Sequence, residues 1–209
     1  MTKHISKRKM AALEHLAVAD ADLGKIIKSI GAYEIKVRKD PFQSLVETII
    51  YQQLAGSAAD AIYGRFVKAY RRFPGPLQLL TTKDAKLRAV GLSSRKIEYL
   101  KDLASRVSDG RLKLDHLQEM PDEQVIEQLE KVKGIGRWTA EMFLIFCLGR
   151  LNVLPVGDLG LRKAMQKVYS LAELPTPEKM RKIAQPWMPY CSIATWYMWK
   201  SLEKFKGIG

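Results

Sequence analysis

The chain has 209 residues, 47% of them hydrophobic and 27% charged, which suits one sizeable globular core or two small lobes and disfavours disorder. Its 35 Lys and Arg residues outnumber its 22 Asp and Glu residues, and the formal net charge of +13 favours a polyanionic partner such as nucleic acid. No apolar run approaches the roughly 18 residues that span a bilayer, so we expect no membrane association. A protein that is merely basic is the alternative that charge alone leaves open.

Apolar residues recur with helical period through most of the chain, and prolines, glycines and capping residues mark the ends of each run. The predicted helices cover residues 42–50, 59–70, 97–107, 125–132, 137–148 and 159–168, with a helix that opens at 176–177 and a last one over 189–203. The sequence contains no internal repeat and no low-complexity linker. We therefore predict an all-α protein of about nine to eleven helices.

The number and spacing of the cysteines limit the kinds of metal site that the chain can form. The chain has two cysteines, Cys147 and Cys191, without metal-ligand spacing, whereas an iron–sulfur cluster needs four in its common form. Both lie in apolar helical surroundings and are expected to be buried free thiols in a reducing compartment. We expect a cytoplasmic, nucleoid-associated protein in a prokaryote, or a nuclear one in a eukaryote.

The segment at residues 129–140, LEKVKGIGRWTA, is predicted to form two helices joined by a glycine turn. The turn Gly134-Ile135-Gly136 exposes backbone N–H groups at a helix start, where phosphate oxygens are attracted. Lys133 adds a positive charge beside the turn. Glycine at a helix end is common, but the apolar residues before this turn and the Arg-Trp-Thr sequence after it favour a DNA-binding hairpin.

A single acid, Asp158, follows this hairpin in the sequence VGDL and is predicted to begin another helix. An aspartate at that place is in the first instance an ordinary N-cap. A DNA backbone held by the hairpin would bring its sugars close to the carboxylate. The combination therefore indicates chemistry on DNA rather than binding alone.

Together these residues resemble the helix-hairpin-helix (HhH-GPD) DNA glycosylases, in particular the 3-methyladenine DNA glycosylase II group. The likeness continues in residues 40–66, which contain the sequence YQQL, in the loop at 91–96 and in the C-terminal segment at 186–197. It covers roughly residues 30–205. The resemblance implies an all-α, two-lobed fold with the active-site cleft between the lobes.

The resemblance also implies a domain organisation and a partner. We expect one glycosylase unit over residues 1–209, in which the N- and C-terminal helices form one lobe. Residues 55–155 are expected to form the central lobe, with the hairpin at 123–148. The expected partner is double-stranded DNA that contains damaged bases, bound by a monomer.

The resemblance implies that Asp158 is the catalytic carboxylate. Breaking a base–sugar bond builds oxocarbenium character on the deoxyribose, and a nearby anion stabilises that charge. The same carboxylate can orient or activate the attacking water. Relatives often have two adjacent acids, whereas Gly157 precedes Asp158 here.

The hairpin position of Trp138 determines the reaction type that the resemblance implies. Bifunctional relatives such as endonuclease III carry a lysine there, which forms a Schiff base and cuts the strand, and an indole cannot act as that nucleophile. We therefore expect a monofunctional base excision repair glycosylase that removes alkylated purines such as 3-methyladenine and leaves an abasic site. Ethenoadenine, hypoxanthine and 7-methylguanine are further candidate bases. A bifunctional glycosylase/lyase is disfavoured, and a non-catalytic DNA-binding module is the other alternative.

Two further groups of residues are expected to act on the flipped base and its partner strand. Leu54 is the expected wedge that fills the gap left by the extruded nucleotide, with Gln53 reaching the orphaned base or backbone, although the helical spacing of Leu54 from Ile50 also fits a core leucine. Aromatic faces attract cationic alkylated purines. The predicted base pocket consists of Trp138, Met142, Trp196 and Tyr190.

The remaining expectations concern the DNA backbone and cofactors. We expect no redox or organic cofactor. A structural Na⁺ or K⁺ at the hairpin, as the resemblance implies, would bind the backbone carbonyls of Val132 and Gly134. The residues expected to contact the DNA backbone are Lys133, Gly134, Ile135, Gly136, Thr139, Ser94, Arg95 and Lys96.

Overall fold

The computed structural model describes residues 2–35, 37, 40–54 and 56–205, with the side chains of 2–9 and 204–205 left aside. These residues form twelve α-helices and two 3₁₀ helices, and no strand occurs among them. No helix in these ranges is both long and apolar enough to cross a membrane. The all-α fold that the apolar period predicts is therefore confirmed, with slightly more helices than expected.

The helices alternate with short connections along the chain. The 3₁₀ helices cover Leu114–His116 and Gln185–Trp187. In chain order the α-helices are α1 (Thr2–Ala19), α2 (Ala21–Ile30), α3 (Pro41–Tyr51), α4 (Gly56–Lys68), α5 (Pro76–Thr81), α6 (Asp84–Ala89), α7 (Ser94–Ser108), α8 (Asp122–Glu130), α9 (Arg137–Phe146), α10 (Leu159–Val168), α11 (Pro177–Ala184) and α12 (Cys191–Phe205).

The chain divides into two compact units. The terminal unit combines Met1–Lys36 with Gly149–Gly209, and the central unit covers Val37–Leu148. The predicted central lobe covers residues 55–155, whereas the compact central unit also includes α3 and ends at Leu148. The physical reason is α3, whose buried face packs against α4, α7 and α9 and so belongs to the central unit.

In the terminal unit, α2 packs against both α1 and α12, and α10 packs against α12. Asp20 joins these elements, because its carboxylate caps α2 at Leu23 and accepts hydrogen bonds from Tyr169 Oη at 2.5 Å and Trp187 Nε1 at 2.8 Å. Neither α1 nor α2 was predicted from the apolar pattern. The fully buried large side chains of this unit include Leu16, Leu23, Trp187 and Tyr197.

Helix starts follow the local capping signals closely. Asp40 caps α3 ahead of Pro41, and Thr176 caps α11 ahead of Pro177, as the sequence predicts. Ser93 caps α7 through the N–H of Lys96. The last helix begins at residue 191, two residues later than predicted.

Candidate active site

The predicted hairpin is formed in the central unit by α8 and α9, which are joined by residues 131–136. Gly134 has a φ of +79°, in the left-handed region that favours glycine, and a side chain there would overlap the ring of Tyr99. Val132 and Ile135 flank it and are buried. Glycine at 134 is therefore required both by its backbone conformation and by the close approach of Tyr99.

The start of α9 presents the backbone N–H groups that suit an anion. Its N-cap is Gly136, and no side chain of the described residues caps it. First-turn N–H groups have no acceptor within their own helix and attract anions together with the helix dipole. By contrast, the N–H of Lys133 donates to Asp102 Oδ2 at 2.9 Å, and that of Ile135 donates to the Val132 oxygen at 3.1 Å. These contacts favour the α9 start over the N–H groups of Lys133 and Ile135 as the phosphate-binding group.

The charged residues around the hairpin are engaged with one another. Lys133 Nζ lies 2.5 Å from Glu98 Oε1, and this hydrogen bond raises the pKa of Lys133. A phosphate contact by Lys133, which stays a prediction, would compete with Glu98. Burial alone would raise the pKa of Asp102, but the Lys133 N–H and the Arg106 guanidinium outweigh it and hold that pKa below its usual value. The carboxylate of Asp102 therefore anchors the first half of the turn.

The predicted backbone-binding residues at the start of α7 differ in their surroundings. Ser94 and Arg95 are exposed in the first turn of that helix. Lys96, however, donates from Nζ to the Ile50 oxygen at the end of α3 over 2.7 Å, and burial lowers its pKa. Its ammonium therefore stabilises the protein's own helix terminus, and a DNA contact by Lys96, which stays a prediction, would compete with the Ile50 oxygen. Thr139 has a buried side chain, 6% exposed.

The predicted wedge occupies a loop immediately after α3. Gln53 has a φ of +56°, a left-handed conformation uncommon for a side-chain-bearing residue. The Leu54 side chain is 37% exposed, which excludes the alternative of a buried core leucine. Its backbone N–H makes a long contact of 3.4 Å with the Tyr51 oxygen. The structure therefore confirms a loop tip here, while the insertion of Leu54 into DNA stays a prediction.

Trp138 and Met142 lie one helical turn apart on α9, a spacing that places them on one face. Trp138 is 47% exposed although it is a large aromatic residue, and Met142 is partly buried. An exposed indole at the start of the hairpin's second helix is unusual for a residue with only a packing role. Its place on the central unit is compatible with the predicted base pocket, which stays a prediction.

Asp158 lies in the terminal unit at the N-cap of α10, as predicted. Its Oδ1 accepts hydrogen bonds from the Leu161 N–H at 2.6 Å and from Trp199 Nε1 at 2.7 Å. The residue is only 9% exposed. An ordinary N-cap explains the first of these bonds, whereas the indole donor from α12 is a tertiary contact that a cap does not require. The side chain is therefore held in one orientation by donors from two directions.

Gly160 makes this arrangement sterically feasible. A Cβ atom at this position would lie 3.1 Å from Asp158 Oδ1 and 3.4 Å from the Trp199 indole. The approach to Oδ1 is tighter than a Cβ atom usually makes, so the carboxylate would have to shift by a few tenths of an ångström, whereas the approach to the indole is an ordinary contact. Neither Gly160 nor Trp199 was assigned to the site from the sequence. A glycine in the first turn of the helix after Asp158 was the sequence feature that could have indicated a close approach to the acid.

Trp196, predicted to stack on the base, belongs to a packed aromatic cluster. Its ring meets Tyr33 edge-on at 5.2 Å and Tyr197 at 4.9 Å, and 9% of it is exposed. Tyr190, also assigned to the pocket, packs edge-on against His15 at 5.4 Å. The tryptophan in contact with Asp158 is instead Trp199, so the geometry favours Trp199 over Trp196 as the tryptophan of the site.

The carbonyl groups predicted to bind a monovalent cation each accept a hydrogen bond from the protein. The Val132 oxygen accepts from the Ile135 N–H, and the Gly134 oxygen accepts from Gln52 Nε2 at 2.8 Å. A donor hydrogen directed at an oxygen opposes a cation beside that oxygen, because both carry positive charge. Gly134 therefore fits the predicted ligand role poorly, and no step below depends on a metal ion.

Comparisons with known proteins agree with this arrangement of helices. DNA-3-methyladenine glycosylase 1 of Schizosaccharomyces pombe is 34% identical over 193 residues, which cover 90% of this chain and 85% of that protein. The structure of an S. pombe 3-methyladenine DNA glycosylase (Mag1) in complex with abasic DNA matches with a TM-score of 0.83 at 33% identity, covering 92% of this chain and 97% of that one.

A second solved structure, a DNA-3-methyladenine glycosidase from Bacillus halodurans, matches with a TM-score of 0.84 at 38% identity and covers 94% of this chain and 91% of that one. The family model of the HhH-GPD superfamily, described as base excision DNA repair proteins, matches residues 46–189. This match includes the wedge loop, the hairpin and Asp158. The chain therefore belongs to the HhH-GPD superfamily of base excision DNA repair proteins.

Proposed function

We propose that this protein is a monofunctional DNA glycosylase that removes alkylated purines from duplex DNA and leaves an abasic site. The observation that carries the proposal is the buried Asp158 carboxylate, held by the Leu161 N–H and the Trp199 indole in a member of a DNA repair family. The names of the relatives, DNA-3-methyladenine glycosylases, supply the substrate class. The expected bases are 3-methyladenine and related lesions, including 7-methylguanine, ethenoadenine and hypoxanthine.

The reaction requires one anion at the sugar. As the C1′–N bond breaks, its electron pair leaves with the base, and positive charge develops on the deoxyribose. The Asp158 carboxylate stabilises this charge, and it orients a water whose oxygen bonds to C1′ and whose proton is released. A purine alkylated at N3 or N7 is already cationic and leaves as a neutral base, so these lesions need no strong general acid. Ethenoadenine and hypoxanthine are neutral and would need a proton from solvent or from the site to leave as neutral bases.

Trp138 supports the monofunctional assignment. A lyase step begins with an amine that attacks C1′ and forms a Schiff base, and an indole nitrogen has no available electron pair for that attack. Its exposed ring offers instead an aromatic surface, which attracts cationic bases. Hydrolysis without strand cleavage is therefore the expected outcome.

The start of α9 supports the DNA-binding part of the proposal. Its first turn, which no side chain of the described residues caps, follows the Gly134–Gly136 hairpin and suits a phosphate. The net charge of +13 adds a sequence-independent attraction to the duplex. We further propose that the protein acts as a monomer without a cofactor, in the nucleoid of a prokaryote or the nucleus of a eukaryote.

The proposal is tested with a panel of duplexes that each contain one damaged base. Released base is quantified by chromatography, and strand cleavage is measured with and without hot alkali, which cuts only abasic sites. We expect free base and alkali-dependent cleavage from alkylated purines. Binding without base release would indicate a non-catalytic module, and a borohydride-trapped covalent complex would indicate a bifunctional enzyme.

A further inference from the structure

The wedge loop and the hairpin of the central unit are joined by one hydrogen bond. Gln52, the first residue after α3, donates from Nε2 to the Gly134 oxygen at 2.8 Å, although 82 positions separate the two residues. Gly134 is the left-handed glycine of the hairpin turn, and Gln52 directly precedes Gln53 and Leu54. This bond therefore links the predicted wedge to the predicted phosphate-binding turn.

Helix α7 supports the loop and the turn from the same side. Lys96 binds the Ile50 oxygen at the end of α3. One turn further along α7, the ring of Tyr99 lies against Gly134, and Asp102 accepts the backbone N–H that precedes that glycine at 2.9 Å. Both ends of the Gln52 bond are therefore anchored by α7. The distance between Gln52 Nε2 and the Gly134 oxygen is thus set by the packing of these elements and is not a chance surface contact.

Within residues 52–54, which the structure describes, the hydrogen bond of the Gln52 amide is shorter than the backbone bonds. Gln53 is in a left-handed conformation, the backbone bond from Leu54 to Tyr51 is 3.4 Å long, and that from Gln52 to Thr48 is 3.2 Å long. The Leu54 side chain is 37% exposed and lacks the packing of a core residue. The Gln52 amide, at 2.8 Å from the Gly134 oxygen, is thus a short polar contact at the base of the loop tip.

We infer that Gln52 is a positioning residue, whose amide holds Leu54 in register with the hairpin so that the wedge enters the duplex beside the strand that the hairpin grips. This inference rests on the proposed function. A wedge must enter the stack at one step along the DNA, while the hairpin fixes the protein on the backbone. A loop that moves relative to the hairpin would insert late or at the wrong step.

Gln52→Met tests this role, because it keeps the length of the side chain and removes the donor. The readout is the single-turnover rate of base release from a lesion in a paired duplex and from the same lesion in an unpaired bubble. We expect the paired rate to fall about tenfold, as for one lost positioning hydrogen bond. The bubble rate is expected to change by less than about twofold, since little stacking is then lost.

Two comparison variants sharpen the result. Leu54→Ala is expected to show the same selective loss on the paired duplex, because it removes the wedge itself. Gln78→Met makes the same chemical change on an exposed residue of α5 and is expected to leave both rates unchanged. Thermal unfolding of each variant is measured in parallel, and we expect the melting temperature of Gln52→Met to match that of the unsubstituted protein.

Gln52→Glu makes the hydrogen bond to Gly134 depend on pH, which would not affect base release if Gln52 had a purely structural role. Its ionised carboxylate faces the Gly134 oxygen without a donor, whereas the protonated acid donates to that oxygen as the amide does. The ratio of the Gln52→Glu rate to the Gln52→Met rate on the paired duplex is expected to rise as pH falls from about 6 to about 4, across the ordinary glutamate pKa of about 4.3.

Three results would overturn the inference while the unsubstituted protein is active. These are an unchanged paired rate in Gln52→Met, an equal loss on duplex and bubble, and a pH-independent ratio for Gln52→Glu. Absence of base release by the unsubstituted protein from either substrate would instead overturn the proposed function, and the inference would fall with it.

Discussion

Trp199 donates its indole N–H to Oδ1 of Asp158 across 2.7 Å, and this bond distinguishes the acid from a simple helix cap. Asp158 also caps α10 through the Leu161 N–H. A cap needs only local geometry, while the indole arrives from a helix 41 positions away in sequence. The two hydrogen bonds together fix the orientation of the Asp158 carboxylate. We therefore expect substitutions around it to affect folding and base release separately.

Replacing Trp199 with Phe removes the donor but keeps an aromatic ring. We expect the single-turnover rate of base release to fall about 30-fold, because a hydrogen bond to a charged group contributes about 2 kcal/mol. The melting temperature is measured in parallel, so that a loss of rate can be separated from a loss of fold. An unchanged rate in Trp199→Phe would contradict the assignment of Trp199 to the site.

Asp158→Asn preserves an oxygen that accepts the same two hydrogen bonds and removes the negative charge. We expect base release to fall about 100-fold or more, as for the loss of a group that stabilises transition-state charge. DNA affinity, measured by fluorescence anisotropy, should stay comparable or rise because a charge that repels phosphate is gone. Unchanged turnover with a normal melting temperature would remove Asp158 from the mechanism.

Gly160→Ala places a methyl group 3.1 Å from Asp158 Oδ1. Alanine favours the helix by up to about 1 kcal/mol over glycine, so the free energy of unfolding should stay constant or rise. The displaced carboxylate should nevertheless lower the rate of base release by about tenfold. Gly157→Ala is the control, since a Cβ there meets no atom within 4 Å. A parallel fall in stability and rate would indicate general damage instead.

Asp102 predicts a pH dependence of stability. Its pKa is lowered in the folded protein, because bonds from Lys133 and Arg106 outweigh the opposing effect of burial. The ionised carboxylate therefore stabilises the fold above its unfolded pKa of about 3.9, and this stabilisation is lost as pH falls through the lower folded pKa.

The comparison of the unsubstituted protein with Asp102→Asn isolates this contribution. Denaturant unfolding should show the unsubstituted protein more stable by about 2 kcal/mol at neutral pH, with the difference shrinking below about pH 4. A difference that stays constant down to the acid limit would show that the charge of Asp102 contributes nothing.

The elements that depend on neighbouring residues were predictable. The Asp40-Pro41 and Thr176-Pro177 starts, the hairpin around Gly134 and the cap at Asp158 all follow from residues within one turn of one another. The N-terminal helices escaped prediction because their buried residues, such as Leu16 and Leu23, are few between charged positions. Their helical state is stabilised by packing of α2 on α1 and α12.

Charge and residue type alone did not show which groups several of these side chains contact. Lys96 has the charge of a phosphate ligand, yet its ammonium donates to the Ile50 oxygen at the end of α3. Trp196 and Trp199 are equivalent as sequence, three positions apart on one helix. Which of the two tryptophans contacts Asp158 depends on which side of α12 faces α10.

The amino-acid sequence by itself determined the two helices of the hairpin and the helix that Asp158 caps, because hydrogen bonds and apolar spacing within a few residues specify these helices. Tertiary structure decided which side chains contact the acid and the hairpin, namely Trp199 at Asp158 in the terminal unit and Gln52 at Gly134 in the central unit. Those contacts join residues 41 and 82 positions apart, and their formation depends on how helices pack rather than on any local signal.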